Sequence, residues 1–192
     1  MAWLERDLEG VRRDVTPWVI VALHRPMYVT GVDGTAWHRG DDYTVAGKLR
    51  AAYEHLLRRY QVDLVLAGHH HSYQRTCPIW NYTCAPHAQA PPQAHARTTG
   101  RSAEYWGPVH VVVGMGGYAN TPILMQPPRQ FVFTDSLNHG FTRISARPQA
   151  LTFEFLVPLE AGKLADGEPP HAGARVVDAC VVLDSFVISH ST

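Results

Sequence analysis

The chain has 192 residues and carries 17 Lys and Arg against 17 Asp and Glu, so its formal net charge at pH 7 is zero. This charge balance excludes electrostatic binding to nucleic acid or to an anionic membrane as the main activity. Hydrophobic residues make up 45% of the chain, enough to build a sizeable core. The apolar runs 18–23 and 109–113 are far shorter than the roughly 20 residues that span a bilayer, so no transmembrane helix is expected.

The first part of the chain alternates helical and strand patterns. Apolar spacing over 3–11 predicts a helix that Pro17 ends, and the run 18–23 predicts a buried strand. A second helix with one apolar face is predicted over 45–60, followed by a strand at 62–67. Continuous apolar strands between helices are typical of an α/β fold whose strands are covered on both faces.

The second part begins with an insertion and then becomes strand-rich. The start of the segment 85–107 is rich in Ala, Pro and Gln and shows no periodicity, so an insertion loop is predicted over 85–107. The run 109–113 predicts a third buried strand that enters the glycine-rich turn 114–117. Alternation over 141–157 predicts an antiparallel pair, and a last strand is predicted over 175–189.

Two weak signals concern the compartment of the protein. Cys77 and Cys84 enclose a short segment that a disulfide would close in an oxidising environment, and Asn81 begins an N-glycosylation sequon inside it. Together they favour a secreted or lumenal origin. Residues 1–14 lack an apolar h-region, so no signal peptide is expected in this chain.

Histidines stand at the ends of two predicted strands. His69, His70 and His71 directly follow the strand 62–67, and His24 ends the strand 18–23. Open α/β sheets place their ligands at the carboxyl ends of strands. If the segment stays extended, His69 and His71 point to one side and His70 points away. We therefore expect His24, His69 and His71 to converge on a metal ion such as zinc, iron or manganese.

The sequence around the four histidines resembles that of a known enzyme family. VIVALHRPMY, followed by VDLVLAGHHHSYQR, resembles the purple acid phosphatases of the calcineurin-like metallophosphoesterase superfamily. That family carries a V-x-x-H element, here 21–24, and a G-H-x-H element, here 68–71. The likeness continues through GPVHVVVGMGG and NHGFTRISA to the C-terminal strands.

The resemblance implies a fold and a domain organisation. The fold expected is α/β, a partial four-layer α/β/β/α metallophosphoesterase sandwich. Residues 1–84 would form the C-terminal part of the metallophosphoesterase core, 85–107 an insertion loop, and 108–192 the purple acid phosphatase C-terminal region.

The resemblance also implies an activity and a site. The activity is hydrolysis of a phosphomonoester at a dinuclear centre, Fe(III) beside Zn, Mn or Fe(II), which holds phosphate oxygens and activates water. Carried over by motif, His24 and His69 would bind the divalent metal and His71 the ferric ion. Tyr73 and Arg75 match the tail of the family's G-H-x-H-x-Y-E-R, where Gln74 replaces glutamate, and a supporting or packing role is expected for them.

Several family motifs do not stand where they are expected. The D-x-G, G-D-x-x-Y and G-N-H-E/D blocks should precede His24, and none does. The near matches at 40–43 and 137–140 fall out of order and are interpreted as ordinary loop and turn residues, with Asp41 and Asp42 in a mobile loop. His38 lies where related enzymes keep phosphate-facing histidines, and it is a catalytic candidate.

The chain is therefore expected to be the C-terminal half of a purple acid phosphatase catalytic domain, with the missing N-terminal half as its natural partner. Its own activity is expected to be impaired, with one weakly held divalent ion. Two alternatives stay open. One is a non-catalytic scaffold that acts by protein contacts, and the other is a mononuclear zinc hydrolase with three histidine ligands. Metal stoichiometry separates the three.

Overall fold

The computed structural model describes residues 2–31, 41–86, 97–100, 105–159 and 175–190. Its helices are α1 (Ala2–Glu9), α2 (Asp41–Leu49) and α3 (His55–Arg59), and a π-helical turn (Arg50–Glu54) joins the last two. Its strands are β1 (Ile20–Leu23), β2 (Leu64–Ala67), β3 (Tyr73–Trp80), β4 (Thr83–Cys84), β5 (Arg97–Gly100), β6 (Val109–Val113), β7 (Phe131–Asp135), β8 (Phe141–Arg147), β9 (Ala150–Pro158), β10 (Arg175–Val177) and β11 (Cys180–His190). No helix in the described part of the chain is both long and apolar enough to cross a membrane.

The first sheet positions the histidine-bearing segments. Its described strands run in the order β1-β2-β6-β3-β4, and β7 pairs with β3. Strand β2 is parallel to both β1 and β6, and the pairing ends with Leu23 opposite Ala67. The carboxyl ends of β1 and β2 therefore lie side by side at one edge of the sheet, as the sequence predicts.

The second sheet is mostly antiparallel. Its described strands run in the order β10-β11-β9-β8, and β5 adds to β11 in parallel. The predicted hairpin over 141–157 is confirmed as β8 and β9. Strand β5 lies within the segment predicted as an insertion loop, so four of those residues are paired with β11.

The main core lies between the two sheets. Leu64, Tyr73 and Val111 from the first sheet pack with Phe153 and Phe186 from the second. A second core on the other face of the first sheet gathers residues from the helices and the strands, among them Leu8, Leu56, Leu57, Val65 and Ile79. Helices, sheet and sheet thus form successive layers, which confirms the predicted α/β metallophosphoesterase sandwich.

Three local predictions need correction. Helix α1 ends at Glu9 rather than near Pro17, because Gly10 follows and glycine is a poor helix former. Strand β1 is not covered on both faces: Ile20 and Ala22 on one face are exposed, and Val21 and Leu23 on the other are half-buried. The last predicted strand is a hairpin of β10 and β11, since Asp178 and Ala179 both adopt positive φ and turn the chain.

Candidate metal centre

His24 and His69 meet at the carboxyl ends of β1 and β2. The amide of Gly68 donates a hydrogen bond to the carbonyl oxygen of His24 over 3.0 Å, which extends the strand pairing past both strand ends. His24 Nε2 then lies 3.1 Å from His69 Nδ1, and the two rings meet edge to face with centroids 5.0 Å apart. Two of the three histidines predicted to converge are therefore in contact, but among the described residues His71 does not join them in a group that could hold one metal ion.

The segment that carries them is not extended. His69 adopts a φ of 64°, in the left-handed region, and residues 69–72 form bends rather than a strand. The alternation expected for an extended segment is therefore the wrong reason for the orientation of these side chains. Turn geometry sets it instead.

His70 points away from the pair, into the protein. Its ring is buried at 1% exposure, and its Nδ1 lies 2.8 Å from the hydroxyl oxygen of Ser72. The Gln74 carboxamide connects the start of β3 to Thr30. It accepts a hydrogen bond from the Thr30 amide and donates one to the Thr30 carbonyl, each over 2.8 Å. The glutamine that replaces the family's glutamate thus makes two hydrogen bonds to the Thr30 backbone. An ionised glutamate could accept one of them but could not donate the other.

His71 is held by the segment 118–121. Its Nδ1 lies 3.1 Å from the carbonyl oxygen of Ala119, and its ring packs edge to face on Tyr118. A carbonyl only accepts hydrogen bonds, so Nδ1 carries the proton and Nε2 keeps its lone pair. This is the tautomer that a metal ligand of this kind requires.

Asp42 enters the site although no sequence pattern predicts it there. It lies near the start of α2 rather than in a mobile loop, and it is 9% exposed. Its Oδ1 lies 3.1 Å from His69 Nε2 and accepts a hydrogen bond from Arg25 over 2.9 Å. The interpretation of 40–43 as ordinary loop residues is wrong for Asp42, because the helix start folds back onto the strand ends.

Tyr73 and Arg75 lie beside the histidines in sequence but act between the sheets. Arg75 Nε and one terminal guanidinium nitrogen donate to the two carboxylate oxygens of Asp184, over 2.6 and 2.8 Å, and the Tyr73 hydroxyl donates to the same carboxylate over 2.8 Å. Burial, reinforced by the negative charge of Asp184, raises the pKa of Tyr73 well above its ordinary value. Both residues therefore have packing roles, and no local sequence pattern identifies Asp184 as their partner.

The catalytic candidate His38 lies outside the described residues. The near match 137–140 is a turn capped by Asp135, whose Oδ1 accepts hydrogen bonds from the amides of Leu137 and Asn138. His139 Nε2 lies 2.7 Å from the carbonyl oxygen of Tyr118, next to the segment that holds His71. Residues 137–140 thus form a turn, as predicted, and this turn lies next to the candidate site.

The described residues fit a metal only in part. Two imidazole nitrogens that approach to 3.1 Å suit two bonds of about 2.0–2.1 Å to one ion at roughly a right angle. Across the described ranges, however, no group of three or more His, Cys, Asp or Glu side chains is arranged to hold a metal ion. These residues thus offer part of the site of one ion, and a dinuclear centre needs further ligands.

The segment with the sequon is closed by a disulfide. Cys77 and Cys84 are bonded, with their Cα atoms 5.7 Å apart. Asn81 lies in the turn between β3 and β4, where it is exposed.

Comparison with known proteins agrees with this architecture. The family model for calcineurin-like phosphoesterases matches residues 1–73, and the model for the C-terminal part of iron/zinc purple acid phosphatase-like proteins matches residues 107–166. A nucleotide pyrophosphatase/phosphodiesterase of Hordeum vulgare is 30% identical over 93% of this chain and 45% of its own length. An Fe(3+)-Zn(2+) purple acid phosphatase of Arabidopsis thaliana is 33% identical over 77% of this chain and 29% of its own.

A solved structure extends the likeness. A purple acid phosphatase from yellow lupin (Lupinus luteus) seeds superimposes with a TM-score of 0.65 at 25% identity, over 99% of this chain and 28% of that protein. The chain thus spans less than half the length of these relatives. The two family models, together with these relatives and this solved structure, place the chain in the purple acid phosphatase family of calcineurin-like phosphoesterases.

Proposed function

We propose that the protein to which this chain belongs is a metal-dependent acid phosphatase that hydrolyses phosphomonoesters at a dinuclear Fe/Zn-type site. The observation that carries the proposal is the 3.1 Å approach of His24 Nε2 and His69 Nδ1 at the ends of two parallel strands. Family membership supports the phosphoesterase class, and the name of the Arabidopsis relative supports iron with zinc.

Each histidine has a distinct role in this proposal. His24 and His69 hold the divalent ion, zinc or manganese, through the two facing nitrogens. His71 holds the ferric ion through Nε2, since its Nδ1 faces the Ala119 carbonyl. The metal pair, when bound, supplies positive charge to the phosphate oxygens and activates water.

We further propose that the isolated chain is impaired. Two adjacent cations repel each other, and bridging carboxylates normally offset this repulsion, whereas neutral imidazoles carry no charge. Asp42 is the carboxylate described at this site, and its charge is shared with Arg25. The chain alone should therefore hold one divalent ion weakly and turn over substrate slowly, if at all.

The test compares two proteins. The chain and a longer protein extended upstream are each assayed with added iron and zinc against p-nitrophenyl phosphate and, because of the barley relative's name, bis-p-nitrophenyl phosphate. We expect turnover of the monoester by the longer protein alone, abolished by His69→Ala. Preference for the diester would replace the phosphomonoester assignment, and equal rates from both proteins would contradict the impairment.

The same experiment separates the alternatives. Two ions per longer protein support the dinuclear centre, one ion with turnover supports a three-histidine zinc hydrolase, and no ion supports a non-catalytic scaffold.

We also propose a secreted or lumenal origin with a glycan on Asn81. Disulfides persist in oxidising compartments, and the bond between Cys77 and Cys84 closes the segment that displays this exposed asparagine. Expression in a secretory host should give a mass shift that peptide N-glycosidase removes and that Asn81→Gln abolishes. An unmodified secreted protein would contradict the glycan.

A further inference from the structure

We propose that Asp42 is a positioning residue for His69, which selects the ring tautomer that leaves Nδ1 available to a metal ion. This inference rests on the proposed metal binding by His24 and His69. It adds a carboxylate that lies outside the histidine motifs and that was expected to be an ordinary loop residue.

The His69 ring lies between two different groups. On one side, Nδ1 faces His24 Nε2 at 3.1 Å. On the other side, Nε2 faces Asp42 Oδ1 at 3.1 Å. Both contacts occur in a partly shielded place, because the His69 side chain is 23% exposed and the Asp42 side chain 9%.

The carboxylate decides where the imidazole proton resides. A neutral imidazole carries one N–H, and an ionised carboxylate can only accept. With the proton on Nε2, an N–H faces Oδ1 and the Nδ1 lone pair faces His24. With the proton on Nδ1, two lone pairs would oppose each other across 3.1 Å at Asp42. The first tautomer is therefore favoured, and it is the one in which Nδ1 can bind a metal.

Arg25 connects the same carboxylate to the other histidine. Arg25 directly follows His24 in the chain, and its guanidinium donates to Asp42 Oδ1 over 2.9 Å. Asp42 thus contacts His69 directly and the His24 segment through Arg25. One buried carboxylate at the start of α2 fixes the relation between the two strand ends, and a simple ion pair between Arg25 and Asp42 would not require the contact with His69.

Metal affinity is the first measurement. Zinc is titrated calorimetrically into the chain and into Asp42→Ala, Asp42→Asn and Asp41→Ala at one pH. Asp41 is the matched control, since it is the neighbouring carboxylate of α2 but is exposed. We expect Asp42→Ala to weaken zinc binding by about 10- to 100-fold, as for other residues that orient a metal ligand. Asp42→Asn should lose less because its amide oxygen still accepts, and Asp41→Ala should stay within about twofold of the parent chain.

The tautomer is the second measurement, and it needs no metal. Long-range ¹H–¹⁵N correlation spectra of the metal-free chain, with His69 assigned through His69→Gln, should show a protonated Nε2 and an unprotonated Nδ1. Asp42→Ala should shift His69 towards a mixture of tautomers, while Asp41→Ala should not. A variant enters the comparison only if its far-UV circular dichroism matches that of the parent, and Asp42→Leu, which also lacks an acceptor, serves where Asp42→Ala does not fold.

The outcomes separate this inference from the proposed function. If zinc binding depends on His69 but is equal in the parent and both Asp42 variants, the positioning role is wrong and the metal site stands. A His69 tautomer that is unchanged in Asp42→Ala also overturns it. If the chain binds no zinc, the metal proposal fails for the isolated chain, and the tautomer measurement still decides the role of Asp42. An equal loss of affinity in Asp41→Ala would show a general charge effect and overturn the inference.

Discussion

Asp184 should be the most destabilising single site to truncate among the ion pairs described. Its carboxylate is fully buried between the sheets, where it accepts two hydrogen bonds from Arg75 and one from Tyr73. Asp184→Ala leaves the Arg75 guanidinium, whose side chain is 7% exposed, without its counterion. It also removes the acceptor of the buried Tyr73 hydroxyl.

The expected magnitude follows from that burial. Breaking a buried ion pair by removing one partner typically costs about 3–5 kcal/mol of unfolding free energy. For a chain of this size, each kcal/mol lowers the Tm by about 2–4 °C, so the Tm should fall by roughly 6–20 °C. Tyr73→Phe leaves the bidentate pair intact and should cost about 1 kcal/mol.

A matched pair of controls isolates the charge effect. Arg75→Met combined with Asp184→Leu removes both charges and should recover most of the loss, because a buried ion pair can often be replaced by apolar residues of similar size. Glu5→Ala breaks an exposed pair with Arg59 and should change stability by no more than about 1 kcal/mol.

The assay is denaturant unfolding followed by tryptophan fluorescence, with calorimetric Tm values beside it. If Asp184→Ala is no more destabilising than Glu5→Ala, the pair does not hold the sheets together. If the double variant is as unstable as Asp184→Ala, shape rather than uncompensated charge is the cause. Either result would refute the role assigned to this buried ion pair.

Three further predictions concern the core, a close approach and the sheet edge. Burial, and then the Arg50 guanidinium, lowers the pKa of His110 from 6.5 to about 3, so between these pH values the unfolded chain binds a proton that the folded chain does not. Between pH 7 and 5 the parent should therefore lose about 2 kcal/mol more unfolding free energy than His110→Phe, measured by urea unfolding at each pH. Parallel pH dependences of the two proteins would contradict this. Gly114→Ala would place a Cβ 2.1 Å from the His70 carbonyl oxygen and should destabilise the fold by about 1–3 kcal/mol in thermal melts. Gly116→Ala is the control, because its Cβ would meet nothing within 4 Å and the Tm should not change. Equal effects of the two substitutions would exclude the steric cause. Because β1 pairs with β2 alone among the described residues, the isolated chain should bind more of a hydrophobic dye than a longer protein extended upstream, and equal dye binding by the two would contradict that.

The elements that the sequence predicts correctly are those whose burial is apolar. Strands β2 and β6 are short runs rich in Val, Leu and Ala, and the helical stretch from α2 to α3 carries its apolar residues on one face. These patterns are local, since each residue's own hydropathy reports its burial. The hairpin of β8 and β9 is predictable for the same reason, from alternation on either side of a turn.

Strand β3 escapes prediction because three consecutive buried residues in its first half are polar. Gln74, Arg75 and Thr76 lie inside the protein at 0%, 5% and 1% exposure. Hydropathy alone assigns such residues to the surface, and each is buried only because a partner far along the chain satisfies it. Asp184, which pairs with Arg75, lies 109 residues away, and no local pattern contains that information.

The candidate site likewise contains residues that the sequence predicts and one that it does not. His24 and His69 are predictable, because each follows a strand and the carboxyl ends of adjacent parallel strands share one edge of a sheet. Asp42 is not, because its role depends on a helix start that folds back over the strand ends and lies far from His69 in sequence. The motifs mark the proposed ligands, whereas the residue proposed to orient one of them follows only from the tertiary structure.

Charge sets how much of a metal centre these residues can support. The imidazoles of the proposed ligands His24, His69 and His71 would bind as neutral groups, and the carboxylate described at the site, Asp42, is balanced by Arg25. The local charge available to offset bound cations is therefore close to zero. One divalent ion on two nitrogens tolerates this, since it has no neighbouring cation to repel it, whereas a ferric ion beside it does not. Carboxylates beyond the described residues are required before the second ion can bind, so we expect iron binding in an extended protein to depend on added acidic residues while zinc binding by the histidine pair does not.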